Sequence, residues 1–370
     1  MEKLIDKIIN NMTLEEKIGQ LIFIMPETLA KRHIPSNRYL RYLMFEFFPK
    51  INTINKRQIK TLKKYHVGGV LFFQRHIETR EKLTKYIEDL NKNSKYPLFI
   101  ACDEEGGYVR RLGRVKALNF PSIPHMSEVG ETKDPNKAFE IGEILGKEMT
   151  KLGLNVNFAP IADVRSSSVN KNNYNLSAKR YFSDDPILVS DMVEAIVKGM
   201  QENNLSATLK HFPGHGSALG DTHIRTSISQ VDLETLRNRE LLPFKAGIKA
   251  GADFVMVGHQ SLPNVLKTKL PCCMSKFIVT DILRGELNYD GIVICDSLKM
   301  KAILKHYKIK DVITHCLNAG VDIIMLPPKF KKTIKIIKHQ VKNNIISEET
   351  INNSVRRILR VKIKQGLIIE

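Results

Sequence analysis

Eight short apolar runs recur along the chain, each ending near a polar or ionisable position. They are QLIFIM from Gln20, VGGVLFF from Val67, PLFIACD from Pro97 and NVNFAP from Asn155, followed by ATLKHFPG from Ala207, DFVMVGH from Asp253, GIVICDS from Gly291 and VDIIMLP from Val321. The runs are continuous rather than alternating, as in strands buried on both faces. Segments with helical period lie between them. One starts at Pro135, with Asp134 as its cap and proline at the first helical position, and stops at Gly153. DDPILVSDMVEAIVKGMQENN, VDLETLRNRELLPFKAGIKAG and SKFIVTDILRGELN repeat the pattern, and SEETINNSVRRILRVKIKQGL, opening on a Ser-x-x-Glu-like cap, predicts a closing helix.

Strand and helix alternating in this way predict an α/β fold, a single (β/α)8 TIM-like barrel over residues 1–370. The alternative is a doubly wound open sheet, and no GxGxxG follows any strand to support it. No composition break or linker suggests a second domain. The stretch from about Pro26 to Lys64 is the one connection too long for a simple βα loop, and it is expected to carry helices of its own. In a barrel the informative positions are the C-terminal strand ends, here Asp103, Asn157, Lys210, His211, His259 and Asp296.

Composition narrows the class. An apolar fraction of 42% with 26% charged residues is that of a globular protein, and no long apolar window predicts a spanning helix. The N-terminal residues lack a secretory apolar core, so a cytoplasmic location is expected. Five cysteines, two of them adjacent and none in CxxC spacing, argue for buried thiols over disulfides or a structural zinc site. The formal charge of +19 reads either as attraction to nucleic acid, an anionic membrane surface or an anionic polymer, or as a compositional bias toward Lys, Asn and Ile. The spread of the lysines along the chain favours the bias at least as much. Residues 31–64 concentrate ten Lys/Arg against one Glu, among Tyr39, Tyr42, Phe45, Phe47 and Phe48, and KFKKTIKIIKHQVKNN from Lys329 predicts a basic amphipathic helix. Aromatics among basic residues can stack on nucleic-acid bases, but in an enzyme such an insert more often caps the fold.

The densest chemistry is KHFPGHGSALGDTH, residues 210–223. His211 and His215 have a zinc-like spacing, but Pro213 and Gly214 between them prevent presentation on one helix. Asp221-Thr-His223 favours acid–base work instead. The aspartate can bond one ring nitrogen of His223 and leave the other to exchange protons, and Gly214, Gly216 and Gly220 would let the pair ride a loop over an open site. Asp296, after four apolar residues and a cysteine, reads either as a helix cap or as a nucleophile on a rigid strand end. Asp103 opens DEEGGYVRRL, where two glycines allow a close backbone turn under a ligand; it reads as a carboxylate accepting from two adjacent hydroxyls or as a cap with surface ion pairs.

KHFPGHG followed by four residues and Asp-Thr-His resembles the signature of family 3 glycoside hydrolases, in the branch of bacterial β-N-acetylglucosaminidases (β-hexosaminidases). DEEGG, NFAPIADV, AKRYFSDDP, the stretch from Leu270 to Leu298 and SVRRILRVKIKQGL match in the same order. The resemblance implies a retaining exo-β-N-acetylglucosaminidase without metal or organic cofactor. Asp296 would be the nucleophile, His223 the acid/base and Asp221 its partner, while Asp103, Arg111, Arg180, Lys210 and His211 would hold the terminal sugar. It further implies a carbohydrate substrate, a GlcNAc-containing muropeptide, with no specific nucleic-acid partner; a monomer is expected. Tyr108 stands where the family usually has arginine, Ser297 where it has a second aspartate, and Ala178-Lys179-Arg180-Tyr181-Phe182 where it has Gly-Asp-Arg-Ser-Phe. A β-glucosidase, β-xylosidase or phosphorylase of the same family, and a carbohydrate- or nucleic-acid-binding protein on an inactive barrel, are the rival readings.

Overall fold

The structure is a computed structural model that describes residues 1–30, 51–166, 179–218, 227–300, 303 and 305–369. Eight strands occupy the eight apolar runs: β1 (Ile22–Ile24), β2 (Gly69–Leu71), β3 (Phe99–Cys102), β4 (Val156–Asn157), β5 (Ser206–Phe212), β6 (Phe254–Val257), β7 (Ile292–Cys295) and β8 (Ile324–Met325). All pair in parallel, in the order β7-β6-β5-β4-β3-β2-β1-β8. A bridge between Ile294 and Ile323, with the Cys295 N–H donating to the Ile323 carbonyl at 3.1 Å, joins β7 to the chain entering β8. The sheet therefore curls into the expected (β/α)8 barrel rather than an open sheet.

Aromatic side chains fill the barrel. Phe23 of β1 meets Phe99 of β3 at 5.9 Å between ring centres and Phe158 beyond β4 at 6.5 Å; Phe99 meets Phe254 of β6 at 5.2 Å. The Phe23 ring explains glycine at the start of β2, because a Cβ on Gly69 would lie 2.5 Å from it. Outside, the helix Pro135–Lys151 starts as its sequence predicts, with Asp134 accepting the Asn136 N–H at 3.0 Å, and Gly153 follows its end at φ +85°. Two segments read as ordinary helices contain wide i→i+5 turns instead, over Leu236–Glu240 and Phe277–Glu286. The basic helix Phe330–Lys342 buries Phe330, Ile334, Ile337 and Val341 and exposes Lys331, Lys332, Lys335 and Lys342, as its pattern predicts.

Of the basic, aromatic insertion, helices Pro26–Leu29 and Lys56–Tyr65 are seen. Tyr39, Tyr42, Phe45, Phe47 and Phe48 lie outside the described residues.

Candidate active site

Strand β3 ends in three consecutive acids with three different environments. Glu104 is buried, and its carboxylate accepts the N–H groups of Arg111, Leu112 and Gly113 at 2.6, 2.7 and 3.2 Å. Burial pushes its pKa up despite those three amides. The Asn157 side chain clasps the Glu104 backbone with two 3.0 Å hydrogen bonds, so this strand-end residue of β4 anchors the loop.

Asp103 and Glu105 share a lysine. The Lys210 ammonium on β5, with its side chain 2% exposed, lies 3.1 Å from Asp103 Oδ1 and 2.5 Å from Glu105 Oε1. Arg111 reaches Asp103 Oδ2 at 3.3 Å and stacks 5.5 Å from the centre of Phe73. Arg180 grips Glu105 with a two-pronged contact at 2.7 and 2.8 Å. Burial opposes ionisation of Glu105, but Arg180 and Lys210 outweigh it and hold its carboxyl far below the ordinary range. Exposure separates the two acids: the Asp103 side chain is 19% exposed and that of Glu105 3%. Asp103 is open to a ligand, whereas Glu105 serves its neighbours. The ion pairs of this stretch are therefore not surface ones: Asp103 and Glu105 share the buried Lys210, while Glu104 is buried on backbone amides.

His211 is held by an acid that sequence reasoning left without a role. Asp163 accepts the N–H groups of His211 and His215 at 3.0 and 2.7 Å, and its other oxygen lies 2.9 Å from His211 Nδ1. With Nδ1–H donating to the carboxylate, Nε2 is the acceptor of the neutral ring. Burial works against ionised Asp163, yet His211 draws its pKa below the usual value. The chain passes close to Val164 here, since a Cβ on Gly216 would sit 1.7 Å from that carbonyl oxygen. His215 is buried with its pKa pushed down to about 4, chiefly by desolvation; burial raises that of Glu240, packed against Gly214, to about 7.

Asp296 follows β7. Its N–H donates to the Val257 carbonyl of β6 at 3.0 Å, and Oδ1 accepts the Ser297 N–H at 2.6 Å. Ser297–Met300 form a turn, with the Met300 N–H donating to the Ser297 carbonyl at 3.1 Å. Its charge acts on two buried imidazoles, His215 and His259.

Asp221 and His223 lie outside the described residues. The flanks of their segment are fixed: Ser217 Oγ meets Ser229 Oγ at 3.0 Å, and Ser261, beyond β6, exchanges backbone hydrogen bonds with Ser227 and Ser229 at 2.9 and 3.0 Å. The segment therefore leaves and rejoins the barrel at the same end as Asp296. The structure brings Asp103, Arg111, Arg180 and Lys210 into one web and sets His211 beside it. It adds Glu105 and Asp163. A signal for Asp163 was present, a lone carboxylate in the apolar stretch NFAPIADV.

The model of the glycosyl hydrolase family 3 N terminal domain matches residues 13–361. The chain belongs to glycosyl hydrolase family 3. Among its relatives are a β-hexosaminidase of Xylella fastidiosa, 33% identical over 74% of this chain and 80% of that protein, and β-hexosaminidase A of Pseudoalteromonas piscicida, 30% identical over 85% of this chain. A solved structure of a family 3 β-N-acetylglucosaminidase from Paenibacillus sp. superposes over 97% of this chain with a TM-score of 0.85 at 30% identity. This family 3 chain spans 56% of the Pseudoalteromonas protein and 64% of the Paenibacillus chain.

Proposed function

We propose that this family 3 member is a retaining exo-β-N-acetylglucosaminidase. The observation that carries the reading is the web at the strand ends: a partly open Asp103 braced by Lys210 and Arg111, with Asp296 on β7 at the same end of the barrel. Asp103 is suited to accept hydroxyls of a terminal sugar, and His211 Nε2, Lys210 and Arg180 supply an acceptor and donors around it. In the first step the Asp296 carboxylate attacks the anomeric carbon while His223 gives its proton to the departing oxygen. In the second, His223 takes a proton from water, and the water oxygen displaces Asp296. Asp221 would orient the imidazole. A histidine in place of the usual second carboxylate adds no negative charge beside an anionic leaving group, and its ordinary pKa near 6.5 suits proton exchange around neutrality.

The substrate we propose is a muropeptide with terminal GlcNAc; the names of the relatives support the N-acetylglucosaminyl group, and the +19 charge suits an anionic remainder. The proposal includes a cytoplasmic location, consistent with five free, buried cysteines; no helix among the described residues is long and apolar enough to cross a membrane. The test is release of 4-nitrophenol from its β-N-acetylglucosaminide by wild type and Asp296→Ala, with and without phosphate. Hydrolysis lost in the variant supports the reading. Turnover that requires phosphate favours the phosphorylase, and wild-type inactivity on this and the matching glucoside and xyloside favours a binding role.

A further inference from the structure

His259 stands at a strand end, two residues beyond β6, and the chemistry above leaves it unused. It is 1% exposed and makes two polar contacts. Its Nε2 lies 3.1 Å from the carbonyl oxygen of Ser297, the residue after Asp296, and its Nδ1 lies 3.2 Å from the Cys273 thiol. A carbonyl only accepts, so Nε2 must carry a hydrogen, and in the neutral ring Nδ1 must then accept from Cys273 S–H. If the proton moves from sulfur to Nδ1, Nε2 remains a donor. Both arrangements keep the bond to Ser297. Desolvation alone would lower the His259 pKa, but Cys273 beside it outweighs that and raises it.

The contact completes a frame around Asp296. The Asp296 N–H is tied to Val257 at 3.0 Å, and the Ser297 N–H holds Asp296 Oδ1 at 2.6 Å. The next carbonyl, that of Ser297, is tied to His259, on the same β6 extension as Val257. The peptide unit whose N–H holds the carboxylate thus lies between two neighbouring peptide units, one tied to Val257 and the other to His259. Cys273 is itself fixed by the turn Cys272–Met274, whose Cys272 N–H donates to the Gln260 carbonyl at 2.9 Å, and it bonds Cys316 of the helix Ile309–Asn318.

We propose that His259, held by Cys273, is a positioning residue that clamps the Ser297 carbonyl and so sets the attack geometry of Asp296. This rests on the reading of Asp296 as nucleophile. Misplacing a reacting group by an ångström costs about a hundredfold. His259→Ala is therefore expected to lower kcat about a hundredfold while KM changes less than about threefold, because substrate is held by the Asp103 web. His259→Gln, whose amide N–H can still meet a carbonyl, should recover about tenfold of that loss. Cys273→Val should lower kcat and Cys273→Ser, which restores a donor to Nδ1, should recover most of it.

The measurements are kcat and KM on 4-nitrophenyl β-N-acetylglucosaminide, with thermal unfolding of each variant. An active wild type and a folded His259→Ala with kcat within about threefold of it overturn the clamp alone. A loss confined to KM also overturns it. Should His259→Ala not fold, equal kcat in Cys273→Val and Cys273→Ser is the overturning result. A wild type that turns over no β-glycoside removes the nucleophile reading, and the clamp with it.

Discussion

At the N-terminal ends of the strands, the acids are met by one helix of the same chain. Along Glu348–Lys364 and the residue after it, Ser354 and Arg357 bind Asp322 at 2.8 and 3.1 Å, Lys362 binds Gln20 at 2.7 Å, Lys364 binds Asp253 at 2.7 Å, and Gln365 binds the Asn155 carbonyl at 2.6 Å. Arg284 adds a 2.7 Å contact to Asp322, whose side chain is 1% exposed. At the opposite ends the same chemistry recurs, and among the described residues no single helix gathers it. Asp103 and Glu105 from the loop after β3, Lys210 from β5 and Arg180 from a third segment meet there, and the side chains of Asp103 and Arg111 remain 19% and 24% exposed. Buried ion pairs at one end close the barrel; at the other, Asp103 and Arg111 stay partly exposed, which is what the proposed sugar site requires. Which acids touch ligand is decided by what covers them, since residue type is the same at both ends.

Substitutions at the two ends should separate catalysis from stability. The largest effect expected is on activity alone: His223→Ala should lower kcat by roughly 100-fold to 10,000-fold on substrates with a poor leaving group, and far less on 4-nitrophenyl glycosides, which need little protonation. Steady-state kinetics on both substrates, with unchanged melting, would show it. Glu105→Gln should affect both properties, since it leaves Lys210 and Arg180 buried with one partner fewer. A stability loss of roughly 3–5 kcal/mol in urea unfolding and a raised KM are expected.

The same variant has a pH signature. The folded pKa of Glu105 lies below the ordinary 4.5 of a glutamate, so its stabilisation is fully present above that pH and is lost as the pH falls further. Glu105→Gln should flatten the acid limb of stability against pH. At the closed end, Asp322→Asn should cost roughly 3 kcal/mol of stability while leaving kcat/KM of the folded enzyme unchanged. A comparable drop in kcat/KM would contradict the division between the ends.

The smallest effect concerns Lys362, whose pKa burial lowers to about 7. A depressed lysine stabilises above its ordinary value of 10.5 and loses that contribution as the pH falls toward 7. Lys362→Met should remove this slope in unfolding curves taken across that range. At pH 7 the relief from desolvating a charge is offset by the loss of the donor to buried Gln20, so the net change should stay within about 1–2 kcal/mol.

The barrel was legible because strands buried on both faces leave continuous apolar runs; even β4 and β8, two residues each, stood out in this way. Asp103, Lys210 and Asp296 were legible as polar residues ending such runs. Glu105 was not, because adjacency to Asp103 in sequence says nothing of which side of the turn each acid takes. The wide turns at Leu236–Glu240 and Phe277–Glu286 were hidden too, since one extra residue in a turn barely changes the apolar period. His259 was visible at its strand end, but Cys273, 14 positions away, gives no sign in sequence of being its partner.

The most direct test of the account is capture of its covalent intermediate. Wild-type protein would be incubated with a 5-fluoro-β-N-acetylglucosaminyl fluoride, digested and read by tandem mass spectrometry. The account predicts one fluorinated N-acetylglucosaminyl group on Asp296, absent in Asp296→Ala. Labelling of another residue, or turnover of the reagent with Asp296→Ala fully active, would contradict it.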